Sequence, residues 1–121
     1  MGALREVVVV SGVRTAIGDY GGSLKDFPLV DLAASVVAEA SKRADVDASK
    51  IGQVVMGNVI HTDPRDMYLA RYAAVKGGIP IETPAYTLNR LCGSGLQAII
   101  CAAQSILCGD TTLLWEEVQN R

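Results

Sequence analysis

Residues 84–110 read PAYTLNRLCGSGLQAIICAAQSILCGD, and this stretch decides how the rest of the sequence is interpreted. A short extended run over residues 84–90 leads directly to Cys92, which two glycines and a long uncharged segment follow. The composition of residues 93–108 predicts a helix that is apolar nearly all round, and Gly109 suits its C-terminal cap. The stretch therefore predicts a strand, a tight turn and a helix, as in parallel α/β sheets.

The N-terminal part of the sequence carries the clearest further patterns. Residues 6–11, EVVVVS, form a β-branched run without alternation, which is typical of a parallel strand covered on both faces. Pro28 can open a helix whose apolar residues recur at i, i+3, i+4 and i+7. Asp31 early in this helix and Lys42 late in it suit the helix dipole. We therefore expect a buried strand followed by an amphipathic helix.

The remaining sequence continues the alternation of strands and helices. A second strand is predicted over residues 53–60, and Asp63 and Pro64 offer a cap and a first-turn proline for a helix near residues 66–76. Residues 111–115 can form a fourth strand. The order βαβαβαβ implies right-handed crossovers, so the predicted fold class is α/β with a mostly parallel sheet and helices on its faces.

Length, charge and cysteine usage limit the class of protein. A chain of 121 residues suits one domain with one core, and 50% apolar and 20% charged residues are a globular balance. The net charge of -2 offers no basic surface for nucleic acid. Three cysteines without a close CxxC pair fit a reducing compartment, and MGALREVVVV lacks the pattern of a secretory signal. We expect a cytoplasmic protein.

The uncharged segment over residues 91–109 also has to be weighed as a membrane span. It contains several glycines and polar residues, among them Gln97 and Gln104. A helix of about 16 residues reaches roughly 24 Å, whereas the hydrocarbon core of a bilayer is about 30 Å thick. The sequence therefore favours a helix buried inside a soluble fold over a membrane-spanning helix, and no membrane partner is expected.

Cys92 is the candidate nucleophile of the sequence. A helix N-terminus favours the thiolate through its unpaired N–H groups and the positive end of its dipole. Gly93 and Gly95 permit a tight turn and leave room for a substrate, and an amide at the head of the helix can donate to an oxyanion. The alternative interpretation is structural, in which small residues merely allow a helix to pack on a strand.

The other reactive residue types have simpler interpretations. Along a helix, Cys101 is separated from Cys92, and Cys108 from Cys101, by roughly 10 to 14 Å, so no disulfide or zinc site is expected. Cys101 and Cys108 are both interpreted as buried apolar side chains. His61 is the only imidazole that could serve Cys92 as a base, but a loop or surface histidine is favoured. Arg14 is expected to pair with a neighbouring carboxylate rather than bind an anion.

Three segments together resemble the N-terminal part of a thiolase, with the nearest likeness to bacterial acetyl-CoA acetyltransferases and β-ketothiolases. The likeness is continuous from about residue 5 to residue 110 and is carried by VVVVSGVRTAIGDYGGSLKD, GNVIHTDPRDMYLARYAAVKGGIP and PAYTLNRLCGSGLQAIICAAQSILCGD. It implies a three-layer thiolase-like fold, of which residues 1–121 would be a partial N-terminal domain. Residues 111–121 diverge from the family pattern, and Trp115 and Glu116 stand where small residues are expected.

The resemblance also implies a reaction. Cys92 would take an acyl group from a coenzyme A thioester, and the enolate of a second thioester would attack it, joining two acetyl-CoA into acetoacetyl-CoA and CoA, or the reverse. The Cys92 N–H would supply half of an oxyanion site, and the helix in DMYLARYAAVKGG would pack beside it. Family subunits pair through a strand that matches residues 85–88, so a homodimer or tetramer is expected. No bound cofactor or metal is implied.

The sequence also departs from the family. Members are much longer, and a second half supplies the histidine that activates the nucleophile and a second cysteine that acts as base. Neither that histidine nor that second cysteine has a counterpart in this sequence, and His61 is not at a position that matches a catalytic histidine of the family. The expectation is therefore a truncated thiolase whose central helix has no cover and exposes apolar surface. The alternative function is a catalytically silent fragment that only dimerises or self-associates.

Overall fold

The computed structural model describes residues 5–118 and contains three helices and three strands in strict alternation. The helices are α1 (Leu29–Ala44), α2 (Leu69–Lys76) and α3 (Ser94–Cys108), and the strands are β1 (Gln53–Gly57), β2 (Ala85–Leu88) and β3 (Leu114–Val118). Two short 3₁₀ turns, Ala48–Lys50 and Pro64–Tyr68, precede β1 and α2.

The sheet is parallel and has the order β2-β1-β3. The chain moves from β1 to β2 through α2, and then returns past β1 to β3 through α3. Because these two crossovers run in opposite directions and right-handed connections prevail, they place α2 and α3 on opposite faces of the sheet. The α/β fold class expected from the sequence is confirmed.

The main core lies between α1, α2 and one face of β1. Val54 and Met56 belong to this cluster, together with apolar residues from both helices. Val55, between them on the strand, is also fully buried but has its side chain on the opposite face, where α3 packs with Ala98 and Ala102. Helix α2 therefore packs with α1 on the face of the sheet opposite α3, and it also contacts β2, the strand that leads to Cys92.

The first strand expected from the sequence does not form. Residues 6–11 belong to no strand, and Val8, Val9 and Val10 expose 64%, 78% and 60% of their surface. A two-sided parallel strand requires a neighbour with free hydrogen-bonding groups. Strand β1 is paired on both edges, with β2 and with β3, so residues 6–11 have no place beside this central strand.

The other predicted elements form with shifted limits. The strand expected over residues 53–60 ends at Gly57, and the helix near residues 66–76 is divided into a 3₁₀ turn and α2. Asp63 caps that turn through a reciprocal capping box with Asp66, and Pro64 follows in its first turn, as expected. The fourth strand lies slightly later than residues 111–115. Residues 1–4, and residues 119–121 of the divergent tail expected over 111–121, lie outside the described residues.

Candidate functional site: the Cys92 turn

The connection between β2 and α3 contains a strained residue immediately before the candidate nucleophile. Leu91 has φ 47°, the left-handed region that a residue with a Cβ adopts at a cost. The side chain of Asn89 accepts a hydrogen bond from the Leu91 N–H at 2.9 Å, which closes a local turn. The Leu91 side chain is 70% exposed, so burial does not compensate for this conformation. Hydrogen bonds around the turn must hold it instead.

Ser94, the first residue of α3, supplies two of these hydrogen bonds. Its hydroxyl oxygen accepts from the Arg90 N–H at 2.8 Å and donates to the Leu91 carbonyl at 2.6 Å. The backbone adds two more, from the Gly93 N–H to the Arg90 carbonyl and from the Ser94 N–H to the Leu91 carbonyl. Ser94 is only 3% exposed. Its hydroxyl therefore links the start of the helix to both residues before Cys92.

The start of α3 lies directly on the end of β1. A Cβ placed on Gly57 would be 2.7 Å from the Ser94 carbonyl carbon and 2.9 Å from the Gly95 nitrogen. Real Cβ atoms do not approach backbone atoms so closely. Only glycine at position 57 allows the helix to begin at this point.

Cys92 itself is exposed and not in a disulfide. It lies one residue before Gly93, the N-cap residue of α3, and no side chain caps this helix or places an acidic group in its first turn. Amide groups at an uncapped helix start can stabilise a thiolate or an oxyanion. The arrangement can thus present an accessible sulfur nucleophile beside hydrogen-bond donors for a carbonyl oxygen.

The structure does not bring His61 to Cys92. The His61 Nδ1 lies 3.0 Å from the amide nitrogen of Asn58, and the same amide donates to the Asp66 carbonyl at 3.2 Å. No hydrogen bond joins His61 to Cys92 within residues 5–118. The interpretation of His61 as a loop histidine with a local partner agrees with this geometry.

The acidic residues after His61 form a cap, as expected, but they differ in environment. Asp63 is half-exposed and pairs with Arg65, and hydrogen bonds from the Arg65 side chain and backbone lower the pKa of Asp63 to about 2. Asp66 is 1% exposed. One of its oxygens accepts from the N–H and hydroxyl of Thr62 and from the Asp63 N–H. Its burial was not evident from the sequence.

A second polar cluster lies along α3, beyond the turn. Arg90 hydrogen-bonds to the side-chain oxygen of Gln97, whose amide lies 3.3 Å from the Cys101 sulfur. Burial and then the Cys101 thiol raise the pKa of Tyr86, which reaches this cluster from β2. Cys101 is accordingly half-buried among polar groups rather than in an apolar core. The sequence carries no signal of this cluster beyond the i, i+4 spacing of its helical members.

Helix α3 is much less buried than its composition predicts. Cys108 is exposed, so its interpretation as a buried apolar side chain is wrong. Leu96, Ile100 and Leu107 expose 64%, 38% and 41%, which confirms the expected apolar surface. By length and apolarity alone the segment Leu91–Cys108 is sufficient for a membrane span, and 22% of it is buried.

Arg14 does not have the expected carboxylate partner. Its Nη1 donates to the Thr15 carbonyl at 3.0 Å, and no ion pair of Arg14 is present in the part of the chain that the structure describes. In residues 5–118 the arginine is therefore used in a local backbone contact.

Comparison with known proteins identifies the family. The family described as "Thiolase, N-terminal domain" matches residues 7–114, which include the whole turn around Cys92. The chain belongs to the thiolase family. It is 67% identical over 107 residues to the Beta-ketothiolase BktB of Cupriavidus necator, covering 88% of this chain and 27% of that protein. It is 42% identical over 111 residues to an Acetyl-CoA acetyltransferase of the same organism, covering 92% and 28%.

Solved thiolase structures share the fold of this chain. The human mitochondrial 3-ketoacyl-CoA thiolase in complex with CoA matches with a TM-score of 0.81 and 42% identity, over 84% of this chain and 26% of that one. The Bacillus anthracis acetyl-CoA acetyltransferase matches with a TM-score of 0.84 and 38% identity, over 90% and 27%. The chain thus spans little more than a quarter of the length of these relatives.

Proposed function

We propose that this chain carries the acyl-accepting nucleophile of a thiolase-type acyltransferase, with Cys92 as the residue that is acylated. The observation that carries the proposal is the position of an accessible thiol at the uncapped start of α3, inside the region that matches the thiolase family. The names of the relatives, a β-ketothiolase and acetyl-CoA acetyltransferases, support coenzyme A thioesters as the substrate class.

The proposed chemistry has two steps. The Cys92 thiolate attacks the carbonyl carbon of an acyl-CoA, the carbon–sulfur bond of that thioester breaks, and CoA leaves as its thiolate. In the second step the α-carbon of another acyl-CoA, having lost a proton to a base, attacks the acyl group and releases Cys92. The products are a 3-ketoacyl-CoA and the regenerated Cys92 thiolate. The first step is reversed when the CoA thiolate attacks the acyl-enzyme and re-forms an acyl-CoA.

The residues of this chain contribute mainly to the first step. The Gly93 and Ser94 N–H groups already donate within the turn, so the Cys92 N–H and the remaining amide groups of the first turn of α3 would donate to the carbonyl oxygen as it becomes negative. Preorganised donors of this kind are a large part of acyl-transfer catalysis. The base for the second step is assigned by the family resemblance to a region beyond this chain. The resemblance also places the histidine that activates the nucleophile outside residues 1–121, and lack of such a base lowers rates by about 10² to 10⁴-fold, so we expect acylation of Cys92 in residues 1–121 to be slow.

A subunit partner is part of the proposal. In the described residues β2 is an edge strand that pairs only with β1, and its exposed Tyr86 lies on the outer part of the sheet. An unpaired edge is a template for another chain, so we propose that a second copy pairs there. The reducing environment favoured by the three cysteines supports a cytoplasmic setting.

The experiment measures the first half-reaction in the full chain. The protein is mixed with acetyl-CoA, and released CoA is followed with a thiol reagent after protein removal. The proposal predicts a CoA burst, meaning a slow release that stops near one CoA per chain, in the parent and in Cys108→Ala, and none in Cys92→Ala. Cys108→Ala is the matched control, because it also removes an exposed thiol. Equal release by all three proteins would contradict the proposal.

The second candidate function is a self-associating fragment without catalysis, which the exposed apolar side chains of α3 favour. Sedimentation velocity distinguishes it from the first. A silent fragment gives no CoA burst, and it dissociates when Leu96 and Ile100 are replaced by serine. A chain that shows the Cys92-dependent burst is an acyl acceptor whatever its oligomeric state.

A further inference from the structure

We infer that Ser94 is a positioning residue for the nucleophile: its hydroxyl holds the strained turn that presents Cys92 at the start of α3. The relevance of this positioning to catalysis rests on the proposed function, in which Cys92 is acylated. Its structural part, the control of Cys92 reactivity by Ser94, can be measured without acyl transfer.

The first support is the pattern of hydrogen bonds. The Ser94 hydroxyl both accepts from the Arg90 N–H and donates to the Leu91 carbonyl, so it uses its donor and one acceptor site on the two residues before Cys92. A serine that merely capped the helix would bind an N–H two or three residues later in the chain. This hydroxyl instead binds backward, to the turn.

The second support is the conformation that the turn must adopt. Leu91 has a left-handed backbone, which costs about 1–2 kcal/mol in a residue with a Cβ. Its side chain is 70% exposed, so packing contributes little. The side-chain hydrogen bonds of Ser94 and Asn89 thus offset this cost together with the two backbone hydrogen bonds of the turn.

The third support is the enclosure of Ser94. It is 3% exposed and its backbone lies against Gly57 at the end of β1. The hydroxyl is therefore shielded from competing water, and it is anchored to the sheet rather than to a mobile surface. Ser94 can transmit the position of β1 to the turn and so to Cys92.

The test compares Ser94→Ala with Ser105→Ala in the full chain. Ser105 is the matched control, because it is a half-buried serine of the same helix whose hydroxyl lies 3.2 Å from both Gln53 and the Cys101 carbonyl, far from the turn. The readout is the rate of iodoacetamide alkylation of Cys92 relative to Cys108, measured by peptide mass spectrometry. Cys108, also exposed, is an internal reference for reagent and time.

Ser94→Ala removes both hydrogen bonds of the hydroxyl, and we expect it to lower the Cys92 to Cys108 ratio by at least about threefold to tenfold, the factor that corresponds to a single hydrogen bond. The thiol then leaves the helix start, where the amide groups favour its reactive thiolate. Ser105→Ala should leave the ratio unchanged. Adding Leu91→Gly to Ser94→Ala should restore much of the ratio, because glycine adopts a positive φ without strain.

The outcomes separate positioning from a merely structural role. An unchanged ratio in Ser94→Ala, an equal loss in Ser105→Ala, or no recovery with Leu91→Gly would each overturn the inference. Should Ser94→Ala not fold, Ser94→Thr and Ser94→Val provide a pair of equal shape, and the inference requires the higher ratio in the variant that keeps the hydroxyl. A lowered ratio in Ser94→Ala together with no acetyl-CoA burst in the parent supports positioning and rejects the proposed function.

Discussion

The first backbone atoms of α3 at Ser94 lie against Gly57, the last residue of β1, so closely that a Cβ on Gly57 would be 2.7 Å from the Ser94 carbonyl carbon. A single missing side chain therefore sets the distance between the sheet and the helix start that carries Cys92. The neighbouring atoms are backbone, and backbone cannot move aside as the end of a flexible side chain can.

Gly57→Ala should destabilise the chain and displace the nucleophile. We expect the free energy of unfolding to fall by about 1–3 kcal/mol, the usual cost of overpacking, and the Cys92 to Cys108 alkylation ratio to change with it. Urea unfolding and site-resolved alkylation measure the two effects. Gly12→Ala is the control, because no atom lies within 4 Å of its ideal Cβ. If both variants behave alike, the contact does not position α3.

Asp66→Ala should be among the most damaging single changes outside the apolar core. Its buried carboxylate is the shared acceptor of three hydrogen bonds from Thr62 and Asp63, which organise the loop after β1. We expect a loss of about 1.5–3 kcal/mol in urea unfolding, the range for hydrogen bonds to a charged group. Asp19→Ala, at an exposed position, should change stability little. Equal losses in both variants would refute the role assigned to Asp66.

Asp63 should contribute to stability in a pH-dependent way. Its pKa is lowered from 3.8 to about 2 by the hydrogen bonds from Arg65, so the folded state binds a proton less readily than the unfolded state. The contribution is present above pH 3.8 and is lost as the pH falls toward 2. Asp63→Asn retains a capping oxygen without the charge. The difference in melting temperature between parent and Asp63→Asn should therefore narrow with acidity, and a constant difference would argue against the ion pair.

The strand and helix patterns of the sequence predicted the α/β class because hydrophobic periodicity is a local property. The valine run over residues 6–11 failed for a reason that is not local. Its β-branched composition suits a buried parallel strand, but pairing depends on which segment reaches the free edge of β1, and β3 occupies it. The prediction that Cys108 is buried failed for a similar non-local reason, because the burial of an apolar helix depends on which other elements cover it.

The sequence also identified the nucleophile more readily than the residues around it. Cys92 could be selected from a strand, two glycines and a helix, since these features are adjacent in the sequence. The contact between Gly57 and Ser94 joins residues far apart in the chain, and the backward hydrogen bonds of Ser94 depend on a positive φ at Leu91. Neither could be derived from the sequence pattern alone. The one available signal was Gly57, which lies inside the strand predicted over residues 53–60, because a glycine within a strand often marks the close approach of another backbone.

The central claim is that Cys92 accepts an acyl group from a coenzyme A thioester, and peptide mapping of the acetylated chain tests it most directly. The full chain is incubated with acetyl-CoA and digested under acidic conditions that preserve thioesters, and acetylation of Cys92 and Cys108 is quantified by mass spectrometry. We expect an acetyl group on Cys92 in clear excess over Cys108, although both thiols are exposed. An unmodified Cys92, or equal acetylation of the two cysteines, would contradict it.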